Sequence, residues 1–113
     1  MLIKVFLSTG FRGETKESIE TYCKNVVRII RNEYEYLRDD DEIQVVHNFD
    51  EEIPEKVGNR KLYLLAKSFE KMSDCDFFFL LKEKDGSVKP GCMTEMTAWM
   101  VSGGCQPIVR QKK

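Results

Sequence analysis

Histidine is almost missing from this chain of 113 residues, with His47 standing alone, and the four cysteines Cys23, Cys75, Cys92 and Cys105 form no C-x-x-C pair. Neither a zinc site nor a disulfide framework is signalled. Small buried thiols, kept reduced in the cytoplasm, are the expected state. Charge of one sign is also lacking: 33% of the residues are charged, yet the net charge is −1. No broad basic field exists to hold a phosphate backbone, which argues against a nucleic-acid polymer as partner. No apolar run approaches the roughly 20 residues of a membrane helix. The N-terminal Met1-Leu2-Ile3-Lys4 turns polar by Ser8, too early for a signal peptide. Internal repeats and low-complexity segments are absent. So are the G-x-G-x-x-G dinucleotide fingerprint and the G-x-x-x-x-G-K-[ST] phosphate loop, which sets aside a Rossmann dehydrogenase and an NTPase. No cofactor and no metal is expected.

What is present reads as alternating strands and helices. The length suits one domain over 1–113, able to bury roughly 65% of its unfolded surface. Leu2 to Leu7 is rich in strand formers and runs into the polar loop Ser8-Thr9-Gly10-Phe11-Arg12-Gly13. Between Glu14 and Leu37, apolar residues at Ile19, Tyr22, Cys23, Val26, Ile30 and Leu37 follow a 3.6 spacing, the mark of a long amphipathic helix. The acidic run Asp39-Asp40-Asp41 ends it. Ile43 to Asn48 reads as a second strand, followed by a loop of about ten residues through Phe49, Asp50, Glu51, Glu52 and Pro54. A second helix is predicted from Asn59, a good N-cap, to Met72, with Leu62, Leu65, Ala66, Phe69 and Met72 on its packing stripe. Phe77 to Leu81 is apolar on both faces, as a central strand covered by helices requires. A third helix from about Met93 to Ser102 places Met93, Met96, Thr97 and Met100 at packing spacing and stops at Gly103-Gly104. Pro107-Ile108-Val109 is a last short strand, and Lys112-Lys113 reads as a frayed tail.

This order predicts an α/β fold, a three-layer, doubly wound, flavodoxin-like sandwich on a mostly parallel four-stranded sheet. Right-handed crossovers leave few arrangements, of which 2-1-3-4 is the expected one. The winding then reverses between the first and third strands, and the loops Ser8 to Gly13 and Lys82 to Glu95 face each other across the crevice where open α/β sheets bind ligands. Glu95 stands there, in what the predicted boundaries make the first turn of the third helix. Unpaired amides and the helix dipole favour an ionised carboxylate at that place. Acidic residues are also common in first turns for stability alone. Pro90-Gly91 allows a sharp turn and a close ligand approach at Gly91 and Cys92, or simply shapes the loop. Ser8, Thr9 and Gly10 offer hydroxyls and free N–H groups. Phe11 and Arg12 are able to stack on a base and bind a phosphate, or to pack on their own loop. Lys82, Lys84 and Lys89 form either a seat for one phosphate or, more commonly, a solvated patch. His47 reads as a packed or surface residue before a general base. Asp74 and Asp76 read as turn caps, and Trp99 as core or interface.

Three segments carry a resemblance to a known family. Val5-Phe6-Leu7-Ser8-Thr9-Gly10-Phe11-Arg12-Gly13 resembles the first strand and loop of the nucleoside 2-deoxyribosyltransferase-like families, nucleotide N-glycosidase-like relatives included. Tyr63-Leu64-Leu65-Ala66-Lys67-Ser68 with Met72 and then Cys75-Asp76-Phe77-Phe78 is similar to their second helix and central strand. Gly91-Cys92-Met93-Thr94-Glu95 resembles their Gly-x-x-x-Glu element. The resemblance implies an enzyme that cleaves or exchanges the N-glycosidic bond of a deoxynucleoside or its monophosphate, with Glu95 as the nucleophile in a covalent glycosyl-enzyme. It implies substrate contacts from Ser8, Thr9, Gly10, Phe11 and Arg12, a base side lined by Asn48 and Phe49, and a possible homo-oligomer. Lys89 stands where the family usually has an aspartate, and Phe6 where it often has a tyrosine, which turns the expectation from transfer toward glycosidase cleavage or binding alone. A catalytically silent nucleotide-binding or regulatory domain is the alternative, and a TIR-like NAD-cleaving or adaptor domain a weaker one.

Overall fold

The computed structural model describes residues 1–49 and 51–113, so Asp50 in the predicted loop lies outside the described residues. The described residues form β1 (Leu2–Ser8), α1 (Lys16–Glu33), β2 (Glu42–Val46), α2 (Arg60–Met72), β3 (Phe77–Lys82), α3 (Pro90–Val101) and β4 (Ile108–Gln111). The strands build one sheet in the order β2-β1-β3-β4, and each neighbouring pair is parallel.

The period-2 alternation of the two central strands sorts their side chains onto two cores. Val5 and Leu7 of β1, with Phe79 and Leu81 of β3, pack against Val26 and Ile30 of α1. Phe6, Phe78 and Leu80 face the other way, against Met72 of α2 and Cys92 and Trp99 of α3. The result is a flavodoxin-like three-layer sandwich with one helix on one face and two on the other. Each Phe or Leu buried this completely stabilises the fold by about 2 kcal/mol relative to exposure.

Local chemistry sets the element ends. Thr15 caps α1: its hydroxyl accepts from the Ser18 amide at 3.1 Å, and Ser18 Oγ accepts from the Thr15 amide at 2.9 Å. The helix ends at Glu33, short of the predicted Leu37, because Tyr34 turns extended while Leu37 still packs on the α1-side core. The apolar period thus outlasts the helix. Asn59 caps α2 as predicted, its side chain accepting from the Leu62 amide at 3.0 Å. The strand β2 stops at Val46, leaving His47 and Asn48 beyond its end.

Helices α2 and α3 are rotated from their predicted faces. On α2, Leu62, Ala66 and Phe69 are exposed, while Ser68 and Met72 are buried. On α3, Met93, Thr97 and Met100 are exposed, Met96 is half-buried, and Cys92 and Trp99 are the buried pair. The helix also begins three residues early, at Pro90, whose fixed φ and missing N–H suit the first helical position. Gly103 ends α3 region in the left-handed conformation, φ 86°. Gly104 follows because a Cβ there would lie 2.4 Å from the Trp99 ring, whose Nε1 donates to the Cys105 carbonyl at 2.6 Å. Trp99 is therefore core. Lys112 continues the β4 pairing, its amide donating to the Lys82 carbonyl at 2.9 Å. With a side chain only 4% exposed, it is no frayed tail.

Candidate active site

The alternation that turns Phe6 toward α2 and α3 turns Ser8, two residues on, the same way. Ser8 is 1% exposed, and its hydroxyl donates to Oε1 of Glu95 at 2.6 Å. Glu95 lies three residues after Cys92 and four before Trp99, so it shares the inward side of α3 with the two buried residues. Because α3 starts at Pro90, Glu95 sits in the second turn, past the free amides of the helix end. The expected support of an ionised carboxylate by those amides is not what holds it. Burial pushes its carboxyl above the usual carboxylate range, and the nearby Ser68 and Ser8 hydroxyls offset only part of that rise.

Ser68 is the site residue that the sequence does not single out. It is 3% exposed on α2 and lines the same cleft as Glu95, and its Oγ donates to the Leu64 carbonyl at 3.2 Å while accepting a short hydrogen bond from Asn48 Nδ2. Asn48 Nδ2 also reaches the Leu64 carbonyl at 3.4 Å, while its buried Oδ1 has no hydrogen-bond partner among the described residues. The one available signal is a hydroxyl among Leu64, Leu65 and Phe69, since a polar group inside an apolar stripe needs a partner. Ser8 thus joins the end of β1 to α3 through the Glu95 carboxylate, and Asn48 joins the chain beyond β2 to α2 through Ser68.

Above Glu95 opens a cleft of about 360 Å³, bounded by α2, the N-terminal part of α3 and the chain beyond the carboxyl ends of β1 and β2. Its lining includes Thr9, Gly10, Phe11, Asn48, Gly91, Cys92 and Glu95 of the predicted site, joined by Lys61, Leu64, Leu65, Ser68, Lys89 and Thr94. Thr9 serves the backbone, its hydroxyl donating to the Leu81 carbonyl at 2.8 Å. Gly10 permits the loops to touch: a Cβ there would lie 2.9 Å from Lys89 Cγ and 3.0 Å from Glu83 Oε2. Phe11 is held between His47 and Phe49, with ring centroids 5.9 and 5.6 Å away. Cys92 is buried and its thiol is pushed up by that burial, which keeps it protonated rather than nucleophilic. Gly91 is exposed in the first turn of α3.

Arg12 is exposed in the turn after Phe11 and is outside the cleft lining. Phe49 supports Phe11 from behind rather than lining the cleft. Of the three lysines read as a cluster, only Lys89 borders the cleft. His47 Nδ1 accepts from the Phe49 amide at 3.2 Å. Asp76 pairs with β1 rather than capping its own turn, its carboxylate accepting from the Lys4 amide at 2.9 Å and its amide donating to the Lys4 carbonyl at 2.8 Å.

Chemically, the cleft sets one carboxyl group, a thiol and several hydroxyls against a wall of Phe11, Leu64 and Leu65. Such a site takes a flat, partly apolar ligand and presents an oxygen to it. Among the described residues, no group of three or more His, Cys, Asp or Glu side chains is placed to hold a metal ion, and no helix is long and apolar enough to cross a membrane. The chain matches no protein-family model, no curated protein and no solved structure.

Proposed function

We propose that this chain is a small enzyme that breaks the N-glycosidic bond of a deoxynucleoside or its monophosphate through Glu95. One observation carries the reading: a glutamate held by Ser8 lies at the floor of a cleft with an aromatic and aliphatic wall, at the crevice of the parallel sheet. The resemblance of Val5 to Gly13 and Gly91 to Glu95 to the deoxyribosyltransferase-like families supports it. In this reading a Glu95 oxygen attacks the anomeric carbon. The carbon–nitrogen bond breaks with its electron pair leaving on the base, which takes up a proton. Water then attacks the same carbon and releases the sugar from the glycosyl ester, while a second base in place of water gives exchange. Replacing Glu95 by Ala is expected to lower base release at least about 10³-fold. Chromatography of the products checks this, and undiminished release removes Glu95 from the role.

A second reading, a nucleotide-binding domain without chemistry, is favoured by the burial of Glu95, which disfavours the ionised carboxylate that attack on carbon requires. Calorimetric binding of deoxynucleotides with no product formed would select it. In either reading, the partner proposed for the outer side of α3 is a second copy of the chain. Met93, Met100 and Val101 are 45%, 58% and 82% exposed there. Glu95, the one charged residue of α3, points inward, so this uncharged surface meets a copy of itself without repulsion.

A further inference from the structure

A lysine with a side chain 4% exposed must replace its hydration with acceptors. Lys112 Nζ lies 2.9 Å from the Gly10 carbonyl, 3.1 Å from Glu14 Oε1, and 3.2 and 3.1 Å from Glu83 Oε1 and Oε2. An ammonium has three N–H donors. One for Gly10, one for Glu14 and one shared by the Glu83 oxygens uses all of them, and the Tyr22 ring sits 5.5 Å from Nζ. Nothing is left with which to bind a ligand or carry a proton. Lys112 therefore acts through what it holds.

Its acceptors stand on both sides of the crevice. Gly10 and Glu14 bracket the loop after β1, with Phe11 between them and the Phe11 carbonyl accepting from the Glu14 amide at 3.0 Å. Glu83 is the first residue after β3, in the facing loop. The two loops are already in contact at Gly10, and Lys112 is anchored from behind by the hydrogen bond that its amide donates to the Lys82 carbonyl. Glu14 also takes hydrogen bonds from Ser18 at 2.6 Å and Tyr22 at 3.2 Å, which ties the clamp to the first turns of α1.

We propose that Lys112 is a positioning residue whose ammonium clamps the Gly10–Glu14 loop to Glu83 and so fixes the Phe11 wall of the cleft. That this wall meets a deoxynucleotide rests on the function proposed above, whereas the clamp itself does not. The test compares the wild-type chain with Lys112→Met by amide hydrogen exchange and by base release from deoxynucleoside 5′-monophosphates. Exchange over residues 9–14 is expected to quicken at least about 10-fold while 77–82 stays protected. The wall would meet substrate and transition state alike, so KM is expected to rise about 10-fold with kcat within about threefold. Should the unpaired carboxylates prevent folding, the variant Lys112→Met with Glu14→Gln and Glu83→Gln removes them and keeps the comparison. Unchanged exchange over 9–14, or an equal rise over 77–82, overturns the clamp. If the wild-type chain releases no base, the proposed function fails, and the exchange result alone decides the clamp.

Discussion

Glu95 couples protonation to both activity and stability. An attacking carboxylate must be ionised, so kcat/KM for base release is expected to rise with pH along a limb whose apparent pKa lies above the 4.5 of an ordinary glutamate. A pH–rate profile measures this directly, and a limb at or below 4.5 contradicts the assignment. Stability runs the other way. A folded-state pKa raised above the unfolded value contributes stability that is fully present below the unfolded pKa and is lost as pH rises through the folded one. Glu95→Gln stays neutral and still accepts from Ser8. It is therefore expected to match the wild-type chain in acid and to exceed it at neutral pH by about 1 kcal/mol, the usual scale of a single stabilising change. Urea unfolding at both pH values checks this, and a variant less stable at neutral pH contradicts it. Ser8 and Glu95 were legible in the sequence because a hydroxyl just after a strand and a carboxylate near a helix start fall at the crevice by topology alone. Ser68 was not, because a small hydroxyl among leucines does not reveal which way its helix is turned.

That rotation is the difficulty at the scale of the element. Strands were legible through their β-branched and aromatic content, and Asn59 and Gly103 mark helix ends with recognisable chemistry. The faces of α2 and α3 were less so. In α3 the run Pro90-Gly91-Cys92-Met93-Thr94-Glu95-Met96-Thr97-Ala98-Trp99-Met100-Val101 is apolar nearly all round, so spacing alone leaves its inward side open. The bulk of Trp99, seated over Phe78 at 5.8 Å, decides it, and Met93 and Met100 are left outside. If the outer methionines meet a second copy, sedimentation velocity finds the wild-type chain above monomer mass and Met100→Glu at monomer mass. A monomeric wild-type chain at tens of micromolar, the order of concentration where weak association shows, contradicts that contact.

For the whole molecule, the strand order 2-1-3-4 was legible because a doubly apolar Phe77-Phe78-Phe79-Leu80-Leu81 must be central and right-handed crossovers leave few alternatives. That order alone brings the loops after β1 and β3 together, and with them Thr9, Gly10, Phe11 and Lys89 of the cleft lining. Lys112 escaped sequence reading because its partner Gly10 lies 102 residues away, and no local pattern records a contact of that span. The cleft draws Thr9 from beyond β1, Asn48 from beyond β2, Ser68 from α2 and Glu95 from α3, while Ser8 lies buried behind Glu95, so chemistry there depends on the packing of the entire sheet. The most direct measurement is a chromatographic screen for free base from deoxynucleosides and their 5′-monophosphates, run with the wild-type chain and Glu95→Ala. Free base from the wild-type chain and none above background from Glu95→Ala is the predicted result; equal release from both, or binding without any release, would contradict the account.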